Sequence, residues 1–369
     1  MKDKNIRLDK YLSQKFPQHS RAFLKSQINA GNILVNGETK KPSYILKESD
    51  NLKINIISPQ KSLLKPNPDI KLNIVYEDKD VIIIDKPAGI SVHPAKLDNG
   101  QAQLAHPSKA GQNDTIANAL LAYFPSIAKI GDPSAGSPRP ELGTKAGQVN
   151  LRPGIVHRLD KDTSGLMVVA KNQNTFDWLK EQFADRKVVK KYLALTVGKI
   201  KEKNGIIAKP IGKTKDFRKR TTITLKDKKE AETHYKVLEE FPSVIPAPSS
   251  VIPAQAGIQN QILTARDKTL DPRLRGDDKN KYTLLEVEPK TGRTHQIRVH
   301  LASIGHPIAG DMLYGFKNQI PLSGLKRQFL HAYYLKFLLP SGKILELTSD
   351  LPDDLNLCLQ NLKSSITNR

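Results

Sequence analysis

Gly154-Ile155-Val156-His157-Arg158-Leu159-Asp160-Lys161-Asp162-Thr163-Ser164-Gly165 runs directly into Leu166-Met167-Val168-Val169-Ala170-Lys171. A dense polar loop followed by an apolar run leaves few choices. The apolar run must be a buried strand, so the loop is anchored at the mouth of the core. Loops held on rigid strands are where chemistry is usually placed. Asp160 lies between Arg158 and Lys161, and neighbouring positive charge favours the carboxylate form. This stretch is the candidate active site. From these residues alone Asp160 has two readings: a turn residue paired with Arg158, or a reactive carboxylate.

Charge narrows the partner. Among 369 residues, 59 Lys and Arg stand against 37 Asp and Glu, a formal net charge of +22. Such an excess points to a polyanion, with nucleic acid ahead of an anionic membrane surface. Cys358 is the sole cysteine. An internal disulfide or a thiolate metal cluster is therefore excluded, which suits a reducing compartment. The first residues are charged, with no apolar stretch of a secretory signal behind them. No apolar run approaches the roughly 20 residues of a membrane helix. A cytoplasmic protein with no membrane partner is expected.

Residues 1–62 read as a module of their own. Leu8, Tyr11, Leu12 and Phe16 sit at helical spacing. Ser20 suits the N-cap of a second helix carrying Phe23, Leu24 and Ile28, with Gly31 to stop it. Ile33-Leu34-Val35 ends in an Asn36-Gly37 turn, and Leu52, Ile54 and Ile56 alternate as a further strand. The module has 12 basic and five acidic side chains. Two short basic helices followed by a hairpin suggest RNA binding, and the arrangement resembles the αL module of a small-subunit ribosomal protein. A proline-bearing linker over 63–71 follows.

A second domain over 72–363 is predicted to hold strands at Val75–Asp78, Val81–Asp85, Lys190–Val197, Lys281–Glu288, Leu330–Leu335 and Ile344–Leu347. Helices are expected from Thr115 to Tyr123, through Phe176, Leu179 and Phe183, after an N-cap at Thr294, and from Pro352 onward. Polar stretches near 96–113 and 131–152 read as insertions. So does 242–281, which is too poor in core residues to pack. Lys209, Lys213, Lys215, Arg218, Lys219 and Arg220 crowd one segment and are expected to meet phosphate.

Three other chemistries fit poorly. Asp160-x-Asp162-x-Ser164-Gly165 opens like a calcium loop, but position twelve is Lys171 where a bidentate Glu is needed. Asp160 and Asp162 are too close in the chain to flank a glycosidic bond. His295, His300 and His306 do not share the four-residue spacing of a helical metal site. Nucleotide-binding glycine motifs are missing as well. What remains is a carboxylate beside arginines on a basic chain. A nucleophilic Asp needs no base to be charged, and Arg298 on a later helix is a suitable counterion.

At this point His157-Arg158-Leu159-Asp160-Lys161-Asp162-Thr163-Ser164-Gly165 resembles the catalytic signature of the RluA family of pseudouridine synthases. Asp85-Lys86-Pro87-Ala88-Gly89, Lys191-Tyr192-Leu193-Ala194 and Gly292-Arg293-Thr294-His295-Gln296-Ile297-Arg298-Val299-His300, with Gly310-Asp311, follow the same family's order. The N-terminal module resembles that of members acting on large-subunit ribosomal RNA. The resemblance implies an α+β catalytic domain with a mixed, largely antiparallel sheet flanked by helices, behind a small α/β RNA-binding domain. It implies isomerisation of uridine to pseudouridine in large-subunit ribosomal RNA, by a monomer, with no metal or other cofactor. By the same likeness Asp160 is the nucleophile, Tyr192 packs against the base and Arg298 pairs with Asp160. Arg158 fills the space the uridine leaves or holds phosphate, and Lys191, Arg293 and His295 contact the RNA. Two alternatives stay open: a non-catalytic RNA-binding or ribosome-assembly protein, and a synthase acting on transfer RNA.

Overall fold

The computed structural model describes residues 6–17, 21–56, 64–94, 114–131, 152–214, 219–222, 228–242, 281–316, 322 and 324–367. The expected N-cap Ser20, the Phe23 side chain, part of the linker and nearly all of the three insertions lie outside them. Two compact units emerge, Met1–Ile70 with His93–Pro153, and Lys71–Val92 with Gly154–Arg369.

In the first unit, α1 (Leu8–Lys15) and α2 (Arg21–Asn29) stand beside an antiparallel pair, β1 (Ile33–Val35) with β2 (Leu52–Ile54). Leu8, Leu12, Leu24, Ile28, Ile33, Val35 and Leu46 form the buried cluster. All but Leu46 are residues that the helical and alternating periodicities select, and Tyr11, Phe16, Leu52, Ile54 and Ile56, selected with them, pack partly buried against the cluster. Asn36 and Gly37 both take the left-handed backbone that a tight turn needs, at φ 53° and 82°. That turn closes only a Val35–Glu38 bridge; the ladder partner of β1 is the more distant β2. Asp9 is fully buried, and Arg7, Arg21 and Lys25 converge on its carboxylate at 3.1, 3.0 and 3.5 Å. Burial opposes its charge, yet Arg7 and Arg21 hold its pKa below the ordinary value. The same unit contains α3 (Ile116–Tyr123), where Asn118 Oδ1 accepts from the Thr115 N–H at 3.1 Å.

The second unit is built on a nine-stranded sheet. Its path is β3 (Ile74–Glu77), β4 (Val81–Lys86), β5 (Ser164–Ala170), β12 (Leu330–Leu338), β6 (Val189–Val197), β11 (Tyr282–Pro289), β10 (Thr233–Phe241) and β7 (Asn204–Ile207). β13 (Ile344–Thr348) pairs with β12, and β8 (Gly212–Lys213) and β9 (Arg220–Thr221) make a separate small ladder. Every pairing is antiparallel except β5 with β12. The expected mixed, largely antiparallel sheet is therefore present. β5 is buried along its whole length, and Val81 to Ile84 of β4 are almost inaccessible. Strands covered on both faces read as continuous apolar runs, as these two do.

Around the sheet lie α4 (Gln173–Ala184), α5 (Gln296–Ser303) and α6 (Asp353–Thr367). The Asn172 side chain caps α4 by accepting from the Thr175 N–H at 2.8 Å. The α5 N-cap is His295, not Thr294 as the sequence suggests. His295 adopts φ 57° and ψ 21°, because Gln296 Oε1 accepts from both the Arg293 N–H and the Thr291 hydroxyl and so closes the turn one residue later. β10 is not visible in the sequence. A register shift between Val237 and Glu239 breaks the alternation that would reveal it. Its last residue, Phe241, faces Tyr282 of β11, so the excursion between them leaves and re-enters at one point of a hairpin.

Candidate active site

The site is assembled from the loop before β5, the end of β4, the start of α5 and the segment after it. β5 and β12 run parallel only through Ser164–His331 and Gly165–Ala332. Gly165 has φ 119°, and a Cβ placed on it would lie 2.3 Å from the Ala332 carbonyl oxygen. Glycine is therefore what lets the two backbones meet here. The loop leading to this contact is held by its own carbonyls. The Lys161 carbonyl accepts from Lys86 Nζ and from the Gly89 N–H, both at 3.0 Å. The Asp162 carbonyl accepts from Arg327 Nη1 at 3.0 Å, and the Thr163 N–H returns to the Asp160 carbonyl at 3.1 Å.

Lys86 is wholly inaccessible. Its three N–H bonds go to the carbonyls of Pro87, Ile90 and Lys161 at 2.7, 3.0 and 3.0 Å. Burial pushes its pKa down to about 7, with the Asp162 carboxylate the strongest opposing influence. On the upstream side, His157 Nε2 accepts from the Val168 N–H at 3.0 Å and the ring stacks on Phe183 at 4.8 Å. Burial depresses its pKa to about 3, with Lys190 adding to the effect. His157 is thus a neutral side chain standing in for a strand partner beside β5.

Asp160 is the acidic residue this frame presents; its side chain keeps 16% exposure. Arg298 Nη1 donates to its Oδ2 at 3.2 Å, while Arg298 Nε and Nη2 clasp Asp311 at 2.7 and 2.8 Å. Burial opposes the guanidinium charge, but Asp311 and Asp160 outweigh it and raise the pKa of Arg298 above its ordinary value. His295 Nε2 lies 3.9 Å from the same Oδ2. Among the described residues no hydrogen bond is made to Oδ1, so one carboxylate oxygen is loaded and the other left open. Tyr192 is buried near this carboxylate. Burial and then the charge of Asp160 raise its pKa, so it is a protonated phenol.

The other expected contacts are more scattered. Arg158 and Arg293 are exposed, Arg293 donating from Nε to the Glu230 carbonyl at 3.0 Å. Lys191 neighbours Tyr192 along β6 and so points to the opposite face of the sheet. There it pairs with Glu286 at 3.1 Å, and the structure does not bring it to Asp160. His300 bonds to Thr233 and the Lys209 carbonyl, and His306 to the Val197 carbonyl. Lys209 of the basic run donates to the Ser303 carbonyl at the end of α5, while Lys215 and Arg218 lie outside the described residues. Sequence reasoning missed Lys86, Asp311, Tyr314 and Arg327 as parts of the site. Asp85-Lys86-Pro87-Ala88-Gly89 and Gly310-Asp311 were visible as motifs, but burial and pairing are invisible in a string of residues.

Comparison with known proteins gives a consistent picture. Residues 80–303 match the family described as RNA pseudouridylate synthase, and residues 6–52 match the S4 domain. An uncharacterized RNA pseudouridine synthase of Aquifex aeolicus is 36% identical over 91% of this chain and 86% of its own length. Ribosomal large subunit pseudouridine synthase D of Xanthomonas campestris is 33% identical over 97% of this chain and 89% of its own. The solved structure of human RNA pseudouridylate synthase domain containing 1 superposes with a TM-score of 0.50 at 22% identity, covering 81% of this chain and 98% of that one, which is a likeness of fold. Among the described residues no helix is long and apolar enough to cross a membrane.

Proposed function

The chain belongs to the RNA pseudouridylate synthase family, in its RluA branch with an S4 domain, and is an RNA-directed isomerase; from that premise we propose that it converts uridines of large-subunit ribosomal RNA to pseudouridine with Asp160 as nucleophile. The observation that carries the assignment is the asymmetry of the Asp160 carboxylate. Oδ2 is loaded by Arg298 and faced by His295, which leaves Oδ1 to attack. The target uridine is flipped out of its helix to reach it. Attack at C1′ or C6 is followed by cleavage of the N1–C1′ bond, rotation of the uracil and formation of C5–C1′, and the bond between Asp160 and the substrate breaks to give back the carboxylate. The C5 proton then leaves and N1 is protonated. One bond is exchanged for another within one nucleotide, so no oxidant, metal or nucleotide is needed.

Tyr192 packs against the base. Asp160 helps keep it protonated, and that influence ends when the carboxylate bonds to the substrate. Burial, the larger cause, still keeps the phenol protonated, so Tyr192 assists removal of the C5 proton through its hydroxyl. Arg158 and Arg293, both exposed, contact the RNA together with His295. Lys191 is better assigned to the sheet through Glu286. Within this reading residues 1–62 form the RNA-binding domain, 63–71 the linker and 72–363 the catalytic domain, and the chain works as a monomer.

Tritium release from RNA labelled at uridine C5 tests the proposal. Purified protein should release tritium from large-subunit ribosomal RNA transcripts and not from transfer RNA, and Asp160→Ala should release none. Release by Asp160→Ala would overturn the nucleophile. Release from transfer RNA alone would overturn the substrate.

A further inference from the structure

We infer that Tyr314 is a positioning residue for Asp160: its hydroxyl, held between the Arg220 N–H and His295 Nδ1, selects the His295 tautomer that presents Nε2–H to the nucleophile's Oδ2. The inference rests on the reading of Asp160 as nucleophile. Tyr314 Oη accepts from the Arg220 N–H at 2.8 Å and lies 2.9 Å from His295 Nδ1. Among the described residues, His295 Nδ1 is the acceptor that the phenolic O–H can reach. The proton therefore points to Nδ1, and a neutral imidazole with Nδ1 accepting must carry its hydrogen on Nε2. Nε2 is the nitrogen that lies 3.9 Å from Asp160 Oδ2. In the other tautomer a ring lone pair would face a carboxylate.

The ionisation states agree with this arrangement. Burial lowers the pKa of His295, with Arg298 and Arg220 also acting against its charge and Asp160 and Asp311 for it. Burial pushes Tyr314 up to about 12. The ring of Tyr314 has a second role. Arg298 lies over it at 5.2 Å, and its edge meets His295 at 5.7 Å. Asp311 Oδ1, clasped by Arg298, also accepts from the Leu313 and Tyr314 N–H groups. One aromatic side chain thereby touches both groups that face Oδ2, and its hydroxyl ties them to β9 through Arg220. The Arg298 hydrogen bond on Oδ2 sets the carboxylate rotamer, and the Nε2–H of His295, 3.9 Å away, adds electrostatic attraction to the same oxygen, so that Oδ1 is aimed at the substrate.

Tyr314→Phe keeps the ring and removes only the O–H. The expected result on full-length protein is a fall in kcat of about tenfold, the loss of one positioning hydrogen bond, with KM for the RNA and the unfolding midpoint little changed. A merely structural role would move the midpoint and not the kcat against KM split. The tautomer is read separately, from two-bond ¹⁵N–¹H spectra of histidine-labelled wild-type protein, with His295 assigned by its loss in His295→Gln. Protonated Nε2 with unprotonated Nδ1 is expected, and Tyr314→Phe should shift the ring toward a mixture. A wild-type ring protonated at Nδ1, or an unchanged kcat in Tyr314→Phe, would overturn the inference. If Tyr314→Phe does not fold, the wild-type spectrum decides by itself. An active Asp160→Asn would overturn the nucleophile reading instead, leaving the tautomer to the spectrum.

Discussion

Replacing Gly165 with Ala tests whether the β5–β12 contact positions the active-site loop. Three glycines separate the contributions. A Cβ on Gly292 meets nothing within 4 Å, and its backbone is ordinary. Gly292→Ala should be neutral or stabilise by less than about 1 kcal/mol, through the unfolded chain. Gly89 also has open space, but its φ is 86°. Gly89→Ala should cost about 1–2 kcal/mol of left-handed strain. Gly165 combines φ 119° with a Cβ position only 2.3 and 2.6 Å from the Ala332 carbonyl oxygen and nitrogen. These are backbone atoms and cannot swing away. Relief requires the strands to part by about 1 Å, which sacrifices the parallel bonds as well as incurring the strain. A loss of about 3–5 kcal/mol follows, or roughly 5 °C in the melting midpoint of a chain this size. Because Asp160 stands five residues before this contact, a displacement of that order should also lower kcat about 100-fold. Urea unfolding and tritium release on the same three variants provide the measurement. If Gly165→Ala melts and turns over like Gly292→Ala, the contact does not position the loop and the reasoning fails.

Four further outcomes are expected. Arg298→Lys keeps a charge but loses the two-pronged clasp on Asp311, so stability should fall by about 2 kcal/mol and kcat by about 100-fold, read by urea unfolding and turnover. Lys86 has a folded pKa near 7 against an ordinary 10.5. Below pH 7 both states are protonated, and between pH 7 and 10.5 only the unfolded chain holds the proton, so wild-type stability gains with pH over that window. Lys86→Met lacks this gain and should lose ground to wild type between pH 7 and 10 in urea midpoints; a pH-independent gap would refute it. Tyr192→Phe should fold normally, by circular dichroism, yet release tritium at least about 100-fold more slowly. Deleting 243–279 should leave turnover and melting close to wild type, since Phe241 and Tyr282 already face each other across β10 and β11.

The regular elements with clean periodicity were legible without coordinates. The buried strand β5, the helices α1 and α4 and the strand β6 follow from residue type alone, because burial of one face or both dictates their apolar pattern. β10 was hidden by its bulge, and the α5 cap stands at His295 and not Thr294, on a left-handed backbone with the Gln296 side chain closing the turn before it.

The sequence by itself determined that a charged loop carrying Asp160 must stand at the mouth of a buried strand on a strongly basic chain, with Tyr192 and Arg298 on other elements. It could not decide which cation meets which carboxylate. Arg298 reaches Asp160 across 138 positions of chain, and Lys86 reaches the Lys161 carbonyl across 75. Strand order in the sheet, not nearness in the chain, makes those encounters. The same alternation of a β-strand that turns Tyr192 toward Asp160 turns Lys191 away from it, and only the assembled sheet decides which of its two faces holds the site.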